Sequence, residues 1–237
     1  MPITTQDIKE FARSLGANMC GIASADRFTD APQGFKPTDI YSGCRSVVVF
    51  AKRIVASTAY AESLVPYTQT KDLSMLVVDK IGFDLGLWLE DRGIVAVPVP
   101  SDNPYEHYEP ERLRGQAILS LRHAGWLAGL GVLGKNTLLM TEQYGNMIHI
   151  GAVLVDADLE QDPLSTFKGC RENCRKCLDA CPQKALNGTT VDQSLCRPHA
   201  FYTTSKGYLL FRCNTCRRIC PKSLGKQSQV KRLLKSD

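Results

Sequence analysis

The 237-residue sequence contains no run of 18 consecutive apolar residues, which is about the length a helix needs to cross a bilayer. Its N-terminal segment is polar and is typical of a capped helix, so it does not resemble a secretory signal. Long repeats and low-complexity stretches are also missing. We therefore expect a cytoplasmic protein without a membrane segment. A chain of this length with 43% hydrophobic residues can bury a sizeable core.

Negative charge is scarce in the last third of the chain. From Lys168 to the end there are 15 Lys and Arg residues against 4 Asp and Glu, whereas the preceding part has 14 against 20. A basic region of this kind indicates an acidic or nucleic-acid partner. The competing explanation is neutralisation of bound anionic cofactors, since a 4Fe–4S core with four thiolates carries a charge of about −2.

Ten cysteines are present, and in a reducing compartment they are expected to bind metal rather than to form disulfides. Eight of them form two sets, and both sets end in the pattern C-x-x-C-x-x-x-C-P. The first set is Cys170, Cys174, Cys177 and Cys181, and the second is Cys196, Cys213, Cys216 and Cys220. The shared pattern is the end of the bacterial ferredoxin motif, in which the last cysteine binds the other of two 4Fe–4S clusters.

The ferredoxin spacing therefore predicts two clusters with crossed ligation. One cluster would be bound by Cys170, Cys174, Cys177 and Cys220, and the other by Cys196, Cys213, Cys216 and Cys181. Zinc is the alternative, but the C-x-x-C pairs of zinc ribbons usually lie roughly 15–20 residues apart. Here 35 residues separate Cys177 from Cys213. The remaining two, Cys20 and Cys44, adjoin strand-like runs and are expected to be small buried residues.

Hydrophobic periodicity divides the rest of the chain. It predicts helices over 5–15, 71–92 and 117–128, and strands over 19–23, 46–55, 94–99 and 147–155. On the longest helix, the residues predicted to face the core are Leu73, Leu76, Val77, Ile81, Leu85, Trp88 and Leu89. Alternating strands and helices indicate an α/β layer structure up to about Asp158, and the change to short cysteine-containing segments from Lys168 indicates a second domain.

A glycine-rich segment, Gly129 to Gly134, matches the pattern G-x-G-x-x-G. A dinucleotide site needs a strand directly before this motif, but the preceding SLRHAGWLA is predicted to be helical. The stretch from Gly129 to Lys135 also resembles a P-loop, although Asn136 replaces the Ser or Thr that would bind magnesium. Two further interpretations stay open: a tight turn after a helix, and a loop that approaches another flat or anionic cofactor.

The segment AGLGVLGKNTLL, followed by the two cysteine sets, resembles the epoxyqueuosine reductase family and its relatives, the corrinoid-dependent reductive dehalogenases. The resemblance covers about residues 46–224. It implies an α+β protein with a nitroreductase-like α/β cofactor domain over 1–160, a ferredoxin-like domain with two 4Fe–4S clusters over 161–224 and a basic tail over 225–237. It also implies that cobalamin lies against Gly129, Leu130, Gly131, Gly134, Lys135, Asn136 and Thr137.

The same resemblance implies a cobalamin-dependent reductase, in which the clusters pass electrons from an external low-potential donor to the corrinoid. The alternatives are a flavin in the same fold, an electron-transfer protein that serves a partner, and a tRNA-modifying epoxyqueuosine reductase-like enzyme. Two features depart from epoxyqueuosine reductases. Their proton-donating aspartate has no acidic counterpart near Gly115 and Gln116, and the sequence continues for only 17 residues past Cys220, without their tRNA-holding helical extension. On these grounds tRNA is not the first partner expected.

A reductase needs a proton donor beside its electron-rich centre. Arg122 and His123 lie directly before the glycine segment, and Tyr105 lies on the polar loop that precedes them. These three are the candidate catalytic residues, with a structural role as the alternative for each. His149 alternates within a predicted strand and is expected to be structural.

Overall fold

The computed structural model describes residues 3–226, together with residues 229 and 234. The helices are α1 (Thr5–Ser14), α2 (Pro37–Ile40), α3 (Leu64–Glu90), α4 (Leu121–Leu127), α5 (Lys176–Asp179), α6 (Gln193–Ala200) and α7 (Thr215–Arg218). The strands are β1 (Met19–Ser24), β2 (Ser46–Arg53), β3 (Ala96–Val99), β4 (His107–Glu109), β5 (Arg114–Gln116), β6 (Val132–Leu133), β7 (Leu139–Met140), β8 (Ile148–Val155), β9 (Phe201–Thr203) and β10 (Leu209–Phe211). Most of the predicted basic tail lies outside the described residues.

A four-stranded sheet with the order β1-β2-β8-β3 forms the centre of the fold. All neighbouring strands are antiparallel, and Val48 pairs with Ile22 on one side and with Val153 on the other. The strands form where the sequence predicts them. The alternation of strands and helices, however, does not produce parallel strands here, because long connections bring β8 between β2 and β3. Antiparallel pairing with helices on the faces is an α+β arrangement.

Helices cover both faces of this sheet. On one face α1 and α3 pack through residues such as Ile8 and Ile81, and on the other α4 packs through Ala124. Cys20 lies in the first core and Cys44 in the second, as predicted for small buried residues. Burial raises the pKa of the Cys20 thiol to about 12 and that of Cys44 to about 11, so both stay protonated.

The long helix α3 begins at Leu64, seven residues before its predicted start, and the Ser63 hydroxyl accepts the Val65 N–H at its N-terminus. Its predicted core face is only partly correct. Three of the predicted core residues are buried, namely Ile81, Leu85 and Leu89. The prediction is wrong for Leu73, Leu76 and Val77, which are exposed. The helix is apolar on two sides, so periodicity alone does not indicate which side meets the sheet.

The cysteine-rich part packs against the α/β part. Ile54, Tyr67, Met147 and Leu224 form a shared apolar cluster, and the Asn146 N–H donates to the Ser223 carbonyl oxygen at 3.1 Å. The boundary near residue 160 stays a prediction. No helix within the described residues is long and apolar enough to cross a membrane.

Candidate metal centre

The two cysteine sets have matching local structure. Cys177 lies in the one-turn helix α5 and Cys216 in the one-turn helix α7, and these two helices contact each other. Cys181 follows α5 and Cys220 follows α7, and each is followed by a proline. Proline cannot continue a helix and restricts the residue before it, so neither short helix extends through its cysteine.

The electrostatics of the thiols show which cysteines are neighbours. Burial, followed by the negative charges of Cys170, Cys220 and Cys174, raises the pKa of Cys177. In the other set, burial and then the charges of Cys213 and Cys181 raise the pKa of Cys196. Cys220 therefore lies near the first set and Cys181 near the second. This is the neighbourhood that crossed ligation requires, while ligation itself stays a prediction.

Cys216 of the second set is half-buried. Burial raises the pKa of Cys216 to about 11, and the charges of Cys196 and Cys213 contribute while Arg217 opposes them. The charge of Cys177 in the first set also raises the pKa of Cys216, which indicates that the two candidate centres adjoin each other. Short distances between centres favour electron transfer between them.

No three His, Cys, Asp or Glu side chains within the described part of the chain converge on a point where a single metal ion could be held. A cubane does not need such convergence, because each of its four thiolates binds a different iron atom. The two groups of four cysteines supply the thiolate donors that 4Fe–4S clusters use, so the donor set fits two such clusters.

Residues after the glycine segment connect the cysteines to the sheet domain. The Lys135 N–H donates to the Cys170 Sγ at 3.4 Å, and the Asn136 side-chain amide donates to the Cys216 carbonyl oxygen at 2.9 Å. Met140 in β7 brings its Sδ to 3.8 Å from the Cys220 Sγ. We call residues 132–140, which form the β6–β7 hairpin, the bridging hairpin. It contacts both cysteine sets.

The glycines of this segment allow close contact with other parts of the backbone. A Cβ at Gly129 would lie 2.2 Å from the Pro163 carbonyl oxygen, and one at Gly131 would lie 2.2 Å from the Met140 carbonyl oxygen. Gly129 has φ +74° and follows the end of α4, so the tight turn after a helix is the interpretation that the structure bears out.

Several residues of this segment are engaged in contacts within the protein. The side chains of Leu130, Asn136 and Thr137 are buried, and the Lys135 side chain donates to the Glu172 carbonyl oxygen. Contact of cobalamin with residues 129–137 therefore stays a prediction, and we assign no reaction step to a corrinoid here.

The three candidate catalytic residues have separate partners. Arg122 donates to the Thr137 carbonyl oxygen at 3.0 Å, and burial lowers its pKa. The His123 Nδ1 lies 2.7 Å from the Ser120 hydroxyl, and burial with a contribution from Arg122 lowers the His123 pKa. Arg122 thus contacts the bridging hairpin.

Tyr105 belongs to a different network, which extends from the second cysteine set to α3. Its hydroxyl donates to Asp102 at 2.7 Å and accepts from Arg197, the residue after Cys196, at 3.4 Å. Lys71 on α3 lies 3.4 Å from the other Asp102 oxygen. Burial and the Asp102 carboxylate raise the pKa of Tyr105, so the phenol stays protonated. Sequence analysis missed Asp102, and its only signal was the polar loop that it shares with Tyr105.

Gly115 and Gln116, where the sequence has no aspartate, lie at the junction between the α/β part and the cysteine-rich part. The Gly115 N–H and carbonyl pair with the side-chain amide of Gln193 on α6, both at 3.1 Å. Gln116 donates to Glu109, across the β4–β5 hairpin, at 3.2 Å. An acidic side chain is therefore present beside this position, although it comes from the neighbouring strand.

Two further polar residues, His149 and Asn146, lie close to Arg217. The His149 Nδ1 is 2.7 Å from the Ser74 hydroxyl, and burial, Arg217 and Lys71 lower its pKa to about 3. A neutral, hydrogen-bonded histidine agrees with the predicted structural role. The Asn146 amide donates to the Arg217 carbonyl oxygen at 3.2 Å, and its Oδ1 is buried without a hydrogen-bond partner among the described residues.

Comparison with known proteins gives a consistent set of relatives. The chain is 27% identical to the epoxyqueuosine reductase of Bacillus anthracis, over 93% of this chain and 64% of that protein. It is 28% identical to the epoxyqueuosine reductase of Gloeobacter violaceus, over 97% of this chain and 81% of that protein. The chain thus spans just under two thirds of the length of the Bacillus relative. No family model matches the sequence.

Solved structures share the fold at lower identity. An epoxyqueuosine reductase from Streptococcus thermophilus superimposes with a TM-score of 0.65 at 18% identity, over 97% of this chain and 69% of that one. A catabolic reductive dehalogenase in complex with 3-bromo-4-hydroxybenzoic acid gives a TM-score of 0.69 at 19% identity, over 97% of this chain and 33% of that one. The resemblance to epoxyqueuosine reductases is therefore confirmed in sequence and fold, and that to reductive dehalogenases in fold.

Proposed function

We propose that this chain is an iron–sulfur oxidoreductase of the epoxyqueuosine reductase type. Two 4Fe–4S clusters would pass electrons from an external low-potential donor to a reduction site beside the bridging hairpin. The observation that carries the proposal is the contact of this one hairpin with both cysteine sets, through Lys135 to Cys170 and through Asn136 to Cys216. An isolated electron carrier does not need such a connection to a second, larger domain.

The residues of this chain would tune and shield the clusters. A backbone N–H that donates to a cysteine sulfur stabilises added negative charge, which raises the reduction potential of a cluster. Met140 and the buried Cys220 exclude water from the side of the first set that faces the sheet. The Lys and Arg residues of the cysteine-rich part offset the negative charge that reduction adds.

The substrate proposed first is an epoxide-bearing nucleoside in tRNA, because the relatives are epoxyqueuosine reductases and one was solved with a tRNA-Tyr stem loop. Removing an epoxide oxygen as water consumes two electrons and two protons, and two one-electron clusters together hold two electrons. Arg112, Arg114 and Lys184 line a surface cavity of about 590 Å³ that suits phosphate groups. Glu109 pairs with both arginines and offsets part of their charge.

The protons for that reaction have candidate donors in this chain. Tyr105 is held by Asp102 and Arg197, Arg122 contacts the bridging hairpin, and His123 is the next residue of α4. Tyr105→Phe is the sharpest variant, because it removes the phenolic proton and keeps the ring that packs beneath Arg197. We expect it to lower turnover and to leave cluster content unchanged.

The deciding experiment is single-turnover reduction of tRNA that carries epoxyqueuosine, with anaerobic, reduced protein and nucleoside analysis by mass spectrometry. Conversion with equivalent oxidation of the clusters supports the proposal. Intact reduced clusters without conversion, with or without added hydroxocobalamin, would favour the electron-transfer alternative. A titration with hydroxocobalamin or flavin, followed by absorbance and calorimetry, tests the second cofactor separately. The B12-dependent dehalogenation described for one structural relative motivates the corrinoid arm.

A further inference from the structure

Helix α3 has an apolar side that the fold does not use. Its inner side places Val78, Ile81 and Leu85 in the core of the sheet domain. Its outer side carries Val65, Leu73, Leu76, Phe83 and Leu87, which are 54%, 53%, 65%, 59% and 48% exposed. A helix that is apolar on both sides is usually covered on both sides.

The spacing on the outer side is that of a helix–helix seam. Leu73, Leu76, Lys80, Phe83 and Leu87 follow alternating steps of three and four residues. Lys80 is the one polar residue among these five, and Asp84 of the same helix pairs with it at 2.5 Å. The seam therefore carries no unbalanced charge of its own, and two copies of it would not repel each other.

The two halves of this side have complementary shapes. Beside the N-terminal half of α3, Val65, Leu73, Tyr208 and Leu209 line a groove of about 460 Å³ between the helix and the β9–β10 hairpin. The C-terminal half exposes Phe83 and Leu87. In an antiparallel pair of α3 helices, these exposed residues of each copy meet the groove of the other.

We propose that α3 and the β9–β10 hairpin form the two-fold interface of a homodimer, with the two α3 helices antiparallel. The exposed apolar side chains of this surface amount to on the order of 800 Å² per copy, which is the share that one partner contributes to a standard interface. The commonest soluble oligomer is a two-fold dimer, in which the same surface of each copy contacts its counterpart on the other. The proposal does not depend on the proposed reductase activity.

The test is the mass of the full-length, cluster-loaded protein by anaerobic sedimentation equilibrium at about 5 to 100 µM. We expect twice the chain mass of 26.2 kDa for the native protein. Leu76→Glu should reduce the dimer affinity at least about 100-fold, because it replaces an apolar side chain of the seam with a carboxylate. Leu164→Glu, at another exposed leucine, is the matched control and should remain dimeric.

Cluster absorbance and circular dichroism check that both variants are folded, and the exposure of Leu76 makes folding of its variant expected. Leu73→Glu provides a second variant on the same side of α3. A native protein that stays monomeric at about 100 µM would overturn the proposal. So would a dimer that both α3 variants leave intact, because it must use another surface. Flotation of a monomer with phosphatidylcholine vesicles would assign the apolar side to a membrane surface instead, and would also overturn it.

Discussion

The backbone N–H of Lys135 donates to the Sγ of Cys170 across 3.4 Å, which joins the β6–β7 hairpin to the first cysteine set. The next residue, Asn136, donates its side-chain amide to the Cys216 carbonyl oxygen of the second set. One turn of chain thus fixes the position of both candidate clusters relative to the sheet. Lys135 makes its contact through the backbone and Asn136 through its side chain, so a substitution removes only the contact of Asn136.

Asn136→Ala should destabilise the folded protein by about 1–3 kcal/mol, because it removes a buried side-chain amide that donates to the Cys216 carbonyl oxygen. Lys135→Ala is the matched control. It removes a side chain that reaches an exposed carbonyl but keeps the backbone N–H on Cys170, so its effect should stay within about 0.5 kcal/mol. Denaturant unfolding of the cluster-loaded proteins measures both. Equal stability of the two variants would show that the Asn136 contact carries little weight.

Gly131→Ala should destabilise the protein by at least about 2 kcal/mol, since its new Cβ would lie 2.2 Å from the Met140 carbonyl oxygen. This differs from the effect expected of a glycine that only makes room for a cofactor. Gly82→Ala is the control: its Cβ would meet Phe50 at an ordinary 3.5 Å, and alanine stabilises a helix interior by about 0.5–1 kcal/mol. A Gly131→Ala protein as stable as the native one would argue against the hairpin packing described here.

Metal content and cysteine variants test the two clusters. We expect about eight iron atoms per chain and essentially no zinc after anaerobic preparation. Cys181→Ala should damage the cluster assigned to Cys196, Cys213 and Cys216, and Cys220→Ala the one assigned to Cys170, Cys174 and Cys177. Each variant should retain about half of the iron, with distinct paramagnetic resonance spectra in the reduced state. Stoichiometric zinc, or the same cluster lost in both variants, would contradict the assignment.

His149 should make the folded protein less stable in mild acid. Burial, Arg217 and Lys71 hold its folded-state pKa at about 3, whereas a histidine in the unfolded chain takes up a proton near about pH 6.5. The unfolded state then binds more protons, so the contribution of the neutral His149 is complete above about pH 6.5 and declines as the pH falls toward 3. Melting temperatures between about pH 8 and 5 should fall more steeply for the native protein than for His149→Gln. Parallel slopes would contradict this assignment.

Several features could be predicted from sequence because each depends on neighbouring residues. The strands β1, β2, β3 and β8 appear where short apolar runs are, and Cys20 and Cys44 are buried because they belong to such runs. The two cysteine sets with their prolines already specify matching local structures, since neither short helix can continue through the proline that follows it.

Other features depend on contacts between distant residues, and only the tertiary structure decided them. The choice between the two apolar sides of α3 depends on which side meets Phe50 and Val153, so periodicity placed Leu73 and Leu76 in the core while the fold exposes them. The glycines of residues 129–134 match several cofactor motifs in sequence, yet their missing side chains are explained by the carbonyls of Pro163 and Met140. The local sequence shows which residues are small or apolar. It does not show which distant residue each of them packs against, because that contact is set by the close packing of the folded chain.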